Sequence, residues 1–303
     1  ATINLNALIG DEPVGYRFDK WQIDGVDQSA GVRTVAVNMT DDHTVNAVYI
    51  KTYDLAVQAV GPTGVAINSS TSHGGSTDYT VDGLDVDTAV NLSVPADPSG
   101  YLFVRWQLDG VDQPDDQRYL DFTMDGHHTA VAVYVPTWVL AIDTYLFDES
   151  VTLNTGVNIA SSTGHSGTTT YSFLALVDGT SVNLEATADQ DPAGYAFLRW
   201  NAKGSAQPDG QRSITFTMDQ NAAAAVIYVP LRNLNVNTNS SDILVGSTTG
   251  HGGTTEIDSD LLDDTVVNLS VPAVDPVGYT FSEWSVNTVS QGAGVRSIDF
   301  TMT

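Results

Sequence analysis

The string Gly-Tyr-x-Phe-x-x-Trp occurs four times, beginning at Gly15, Gly100, Gly194 and Gly278. Its aromatic residues are Tyr16, Phe18 and Trp21, then Tyr101, Phe103 and Trp106, then Tyr195, Phe197 and Trp200, and last Tyr279, Phe281 and Trp284. Each tryptophan is followed 18 residues later by a methionine (Met39, Met124, Met218, Met302), and the chain has no other Met. Six residues before each Met stands an arginine: Arg33, Arg118, Arg212 and Arg296. A fixed internal period of this kind is the mark of a repeat architecture and outranks residue-level readings of fold.

The segments between these landmarks are short and β-like. Val90, Leu92 and Val94 alternate with polar residues, and Val182-Asn183-Leu184 and Val267-Asn268-Leu269 repeat the pattern, which is that of a half-buried strand. A turn follows each, as in Asp97-Pro98-Ser99-Gly100, with proline suited to its second position and glycine to positive φ. Apolar strands ending in Tyr49, Tyr134 and Tyr228 close the first three copies. No stretch sustains a helical apolar period. The expected fold is all-β, a tandem array of small β-sandwich-like repeats of about 85 residues, each with about seven strands.

The expected division is a partial repeat (second half) over 1–50, a full repeat over 51–135, a full repeat with a loop insertion over 136–229, and a repeat lacking its last strand over 230–303. The insertion falls around Tyr145 to Leu153. The chain opens without an initiator Met or a leader and stops at Thr303 before a closing strand. The expectation is a processed protein or part of a longer one, with the missing strand supplied by further chain or by a neighbour.

In the aromatic strand Tyr101 and Phe103 share one face by period-2 alternation, and Trp106 falls on the other. Either a β-bulge intervenes or both faces are covered. The apolar Leu102 and Val104 favour two covered faces, although Arg17 and Asp19 occupy those places in the first copy.

Gly100-Tyr101-Leu102-Phe103-Val104-Arg105-Trp106, followed by Phe122-Thr123-Met124-Asp125 and Ala132-Val133-Tyr134, resembles the divergent internalin-type B repeats of bacterial surface proteins. The resemblance recurs in four copies across nearly the whole chain. It implies a secreted or surface-anchored protein in which such repeats act as spacers or adhesion modules, and it implies no catalytic residues. These copies also carry an added N-terminal half with a Ser/Thr/Gly/His segment.

Charge narrows the partners. The chain carries 37 acidic and 11 basic residues, a net charge of −26, which repels nucleic-acid phosphates and anionic lipid. There is no cysteine, hence no disulfide, thiolate metal site or cysteine nucleophile. The three lysines share no register, which argues against a repeated lysine cross-link. No nucleophile triad, phosphate loop or recurring carboxylate pair stands out, so no enzyme is expected.

Four weaker features have two readings each. The aromatic residues could stack on sugars, but a small β unit needs them for its core. Asp109, Asp112, Asp115 and Asp116 offer the hard oxygen donors calcium takes, but later copies replace them, so solvated acidic loops are the plainer reading. His73, His165 and His251 recur in Gly/Ser-rich segments, one per copy, and fit turn residues bonding local backbone better than metal ligands. Asn-x-Ser/Thr triplets at Asn38, Asn68, Asn91, Asn239 and Asn268 are candidate glycan acceptors, with Asn91 and Asn268 at outward strand positions. The one repeated contact expected of the arginines is to a carboxylate.

The function expected from these features is an extracellular structural repeat protein: a stalk, sheath or filament segment of a microbial cell surface. The alternative is an adhesin or carbohydrate-binding module. The expected partners are copies of itself, flanking repeats of a longer chain, or glycans, with no membrane insertion. No cofactor is expected, apart from calcium at the acidic loop.

Overall fold

The computed structural model describes residues 1–146, 156–239 and 243–303. The chain is all-β and divides into two compact units, Ala1–Trp138 and Val139–Thr303. Most of the expected insertion, Tyr145 to Leu153, lies outside the described residues.

The first unit contains β1 (Thr2–Asn6), β2 (Tyr16–Ile23), β3 (Val26–Asp27), β4 (Thr34–Asn38), β5 (Val45–Val60), β6 (Ala66–Ile67) and β7 (Gly75–Ser76). It continues through β8 (Tyr79–Asp85), β9 (Ala89–Ser93), β10 (Tyr101–Leu108), β11 (Val111–Asp112), β12 (Tyr119–Thr123) and β13 (His128–Leu146), whose residues from Val139 belong to the second unit. The early half of β5 pairs with β2, from Ile23↔Val45 to Tyr16↔Lys51. Its later half continues without a break into a second set of pairings. There it pairs antiparallel with β8 on one side and parallel with β13 on the other, from Leu55↔His128 to Val60↔Val133. β10 runs antiparallel to β13. The β9–β12 pair forms a second layer, with the β6–β7 hairpin tied to it through the Asn68↔Ser93 bridge.

The core of this repeat lies between the layers. The alternating residues Val90 and Leu92 of β9 meet Leu55 and Val57 of β5, with Phe103, Trp106, Leu120 and Met124. Ala132 stands opposite Trp106 in the ladder, so the small side chain leaves room for the indole. Trp106 and Met124 are fully buried, as are Trp200 and Met218, whereas Met39 of the first copy is exposed.

The second unit adds β14 (Asn158–Ile159), β15 (Gly167–Thr168), β16 (Tyr171–Val177), β17 (Ser181–Glu185), β18 (Tyr195–Ala202), β19 (Ser205–Ala206), β20 (Ser213–Thr217) and β21 (Ala222–Val236). Then come β22 (Leu244–Val245), β23 (Gly253–Thr254), β24 (Ile257–Leu262), β25 (Val266–Ser270), β26 (Glu283–Val286), β27 (Val289–Ala293) and β28 (Ser297–Thr301). The pairings repeat those of the first unit. β13 from Leu140 to Leu146 runs parallel to β21 from Ala222 to Tyr228, β18 is antiparallel to β21, and β17 pairs with β20. The later half of β21 pairs antiparallel with β24, and β25 pairs with β28.

Two sequence expectations change. The aromatic strand carries a bulge between Phe103 and Arg105, repeated between Phe18 and Lys20 and between Phe197 and Arg199. The extra residue restores parity, so Phe103 and Trp106 both point into the core while Leu102 stays exposed. The two-covered-faces reading is thereby replaced. The turn before this strand also differs: Tyr101 N–H donates to Pro98 O at 3.0 Å, which makes proline its first residue and Gly100, at φ +80°, its third. That is the type II position requiring positive φ.

Candidate functional site

Two side-chain networks recur from copy to copy. The first is built on the arginine six residues before each Met. Arg212 spans Asp191 with hydrogen bonds of 2.9 and 2.5 Å, donates to Ala186 O at 3.0 Å, and lies over the Phe197 ring at 4.7 Å. Arg118 makes two 2.8 Å bonds to Asp97 and covers Phe103 at 5.6 Å. Arg296 bonds Asp275 at 2.7 Å and covers Phe281, and Arg33 pairs with Glu12 above Phe18. The guanidinium thus joins the turn carboxylate to the aromatic strand, with planar donors suited to both. Arg33 and Arg296 hold the Glu12 and Asp275 carboxyls below their usual range, chiefly by these hydrogen bonds. Burial pushes the Tyr228 phenol up, and its hydroxyl donates to Asp191 at 3.1 Å.

The second network joins the hairpin before β8, β16 or β24 to the second layer. Thr71 Oγ1 meets His73 Nδ1 at 2.8 Å, accepts from Asn91 N–H at 2.9 Å, and meets Ser69 Oγ at 3.0 Å. Ser69 Oγ already accepts from the N–H groups of Thr71 and His73. The same bonds join Ser161, Thr163, His165 and Asn183, and again Ser247, Thr249, His251 and Asn268. Donor counting fixes the hydrogens. Ser69 accepts twice from backbone and so gives its proton to Thr71, and Thr71 gives its own to His73 Nδ1. By this count the imidazole Nδ1 is the acceptor. Burial lowers the His165 pKa in keeping with this.

The hydroxyl–imidazole contact has the spacing of an activated nucleophile, but its valences are spent. Both acceptor positions of the Thr71 oxygen are filled by Ser69 and Asn91, leaving none for a substrate carbonyl. The network is a clasp. The expected backbone partner for these histidine rings is replaced by a threonine hydroxyl two residues earlier. The Asn91 and Asn268 side chains are engaged by neighbours: Asn91, half-buried between the inward Val90 and Leu92, accepts from Ser70 and donates to Asp121, and Asn268 is buried and bonds Asp299. Sequence reading missed this network; the matched Ser-x-Thr-x-His triplets were the available clue.

Two of the four acidic candidates pair with a cation of the chain itself, and the other two do not. Asp112 and Asp115 both face Arg105, at 3.4 and 3.0 Å. Asp109 bonds His128 Nδ1 at 2.7 Å and Thr129 N–H at 2.8 Å, while Asp116 N–H donates to Val104 O. Among the described residues no group of three or more His, Cys, Asp or Glu could hold a metal ion. Of the aromatic signature, Phe18, Trp21, Phe103, Trp106, Phe197 and Trp200 are buried. Phe281 and Trp284 are partly buried, as are Tyr101 and Tyr195, while Tyr16 and Tyr279 are exposed.

Residues 157–229 match the divergent InlB B-repeat domain, from just before β14 to the middle of β21. No curated protein matches the chain. Among solved structures it is similar to the Bacillus anthracis TIE protein, at 10% identity and a TM-score of 0.30 over 100% of this chain and 66% of that one. It is also similar to the pilus adhesin SpaC from Lactobacillus rhamnosus GG, at 12% identity and 0.24, covering 76% of this chain and 43% of that one. The Streptococcal ancillary pilin gives 12% identity and 0.26, covering 84% and 96%. The chain thus spans less than two thirds of the first two. Among the described residues no helix is long and apolar enough to cross a membrane.

Proposed function

We propose that this chain is a structural or adhesive repeat protein of a microbial cell surface, and more finely a stalk, sheath or filament segment. The observation that carries the reading is the uninterrupted strand. β5 and β21 each end one repeat and begin the next, with Thr52 N–H bonded to Gly15 O and Leu231 N–H to Gly194 O at the junctions. Such junctions leave no flexible linker, as suits a spacer built of nearest-neighbour units. The match of residues 157–229 to the divergent InlB B-repeat domain supports the same reading. The repeats are assigned to 1–50, 51–135, 136–229 and 230–303. Its partners are further repeats or copies of itself, outside the cell.

The recurrent polar networks support a non-enzymatic role, because each of their groups is consumed in joining strands. The test is antibody labelling of intact producing cells, with lysed cells as reference. Labelling of intact cells, removed by external protease, is the expected result. Labelling only after lysis would overturn the proposal.

A further inference from the structure

The first and last strands of a repeat lie side by side and run the same way. In the repeat of the first unit, six residue pairs join β5 to β13, from Leu55↔His128 to Val60↔Val133. In the second unit seven pairs join β13 to β21, from Leu140↔Ala222 to Leu146↔Tyr228. The chain enters each repeat at the N-terminal end of one of these strands and leaves at the C-terminal end of the other. Tension along the chain therefore drags the two strands past each other, lengthwise. Parallel ladder bonds are evenly spaced and lie across that direction, so they share the load and must fail together. An antiparallel hairpin pulled from its two ends opens one bond at a time.

We infer that each full repeat is a mechanical clamp whose function is to resist pulling along the chain. The surroundings fit this role. Leu55, Val57, Ala130 and Ala132 have no exposed surface in the first clamp, nor do Leu140, Ile142, Ala224 and Val226 in the second, so water has little access to replace the ladder bonds. β8 and β10 flank the first pair, and β16 and β18 the second. The junction bond from Thr52 N–H to Gly15 O anchors the strand entering the first clamp. The chain has no cysteine, so no disulfide limits its extension. Resistance to forced unfolding is a matter of unfolding rate and loading direction rather than of equilibrium stability.

The test is single-molecule force spectroscopy in two pulling geometries on one variant, Thr63→Cys, which lies in the exposed turn after β5. With handles at both termini the first clamp is sheared. Its rupture releases Leu55 to Val133, about 280 Å of chain, and the second releases Leu140 to Tyr228, about 310 Å, so the two events are told apart by length. With handles on residue 63 and the C-terminus, force reaches β5 and β13 from the same end and unzips them. The expected result is a several-fold lower force for the first clamp in this second geometry, with the second clamp unchanged. Equal forces in both geometries would overturn the inference. Cell-surface labelling stands or falls apart from this result, because the clamp is a property of the folded chain alone.

Discussion

Replacing Thr71 by valine keeps the shape of the side chain and removes its hydroxyl. Three hydrogen bonds go at once: those to His73 Nδ1, Asn91 N–H and Ser69 Oγ. His73 is buried, and the Asn91 N–H belongs to the second-layer strand, so water replaces these partners poorly. At about 1 kcal/mol net for each bond, the repeat loses about 2–3 kcal/mol. That raises the opening constant roughly 30- to 150-fold, since about 1.4 kcal/mol is tenfold. Hydrogen exchange read by mass spectrometry localises the effect: amides of β6, β7 and β9 exchange faster by that factor, while those of β17 and β20 do not. Thr71→Ser retains the hydroxyl and recovers most of the protection. A valine variant within about 0.5 kcal/mol of the parent, the range of an ordinary surface change, would refute the clasp.

Arg212→Met leaves the partly buried Asp191 without its two charged donors, and is expected to destabilise its repeat by about 1–3 kcal/mol in urea denaturation, with Arg212→Lys intermediate. The histidines are expected to titrate in opposite directions by NMR. His165 stays neutral below the ordinary value of about 6.5, so its stabilisation is present above that pH and is lost as pH falls through the folded pKa. His43, raised chiefly by its hydrogen bond to Asp24, stabilises below about 6.5 and loses that contribution as pH rises through its folded pKa; Asp24→Asn abolishes the upward shift. Because Asp112 and Asp115 are engaged by Arg105, calcium chelation is expected to leave the Tm of the purified chain unchanged; a fall of several degrees would restore a metal role for this loop.

Much of the repeat was legible in sequence because its marks are local or periodic. The Trp106–Met124 and Trp200–Met218 spacings join two core residues at a fixed separation, and Val90 and Leu92 alternate as a half-buried strand does. The repeated arginine pointed to a carboxylate, and the structure supplies one in each copy. The bulge after Phe103 was less accessible, since Leu102 and Val104 look equally apolar and parity alone cannot place an extra residue. The clasp was missed because Ser, Thr, His and Asn read as loop and glycan-acceptor residues until β9 and the hairpin come together. Parallel pairing of residues 55–60 with 128–133 has no local sequence signature at all; it follows from closing the sheet around Trp106.

Closure of each repeat by its own two terminal strands is the claim on which the rest depends, and a cysteine pair tests it most directly. Gln58 and Val131 are register partners in the parallel ladder, and the chain has no other cysteine to interfere. Neighbouring strands lie about 4.7–4.9 Å apart, within the Cα separations of about 4.4–6.8 Å a disulfide spans. Gln58→Cys with Val131→Cys is expected to oxidise within one chain, whereas Gln58→Cys with Thr123→Cys is not. Failure of the matched pair to form in the folded protein, or equal yields from both pairs, would contradict it.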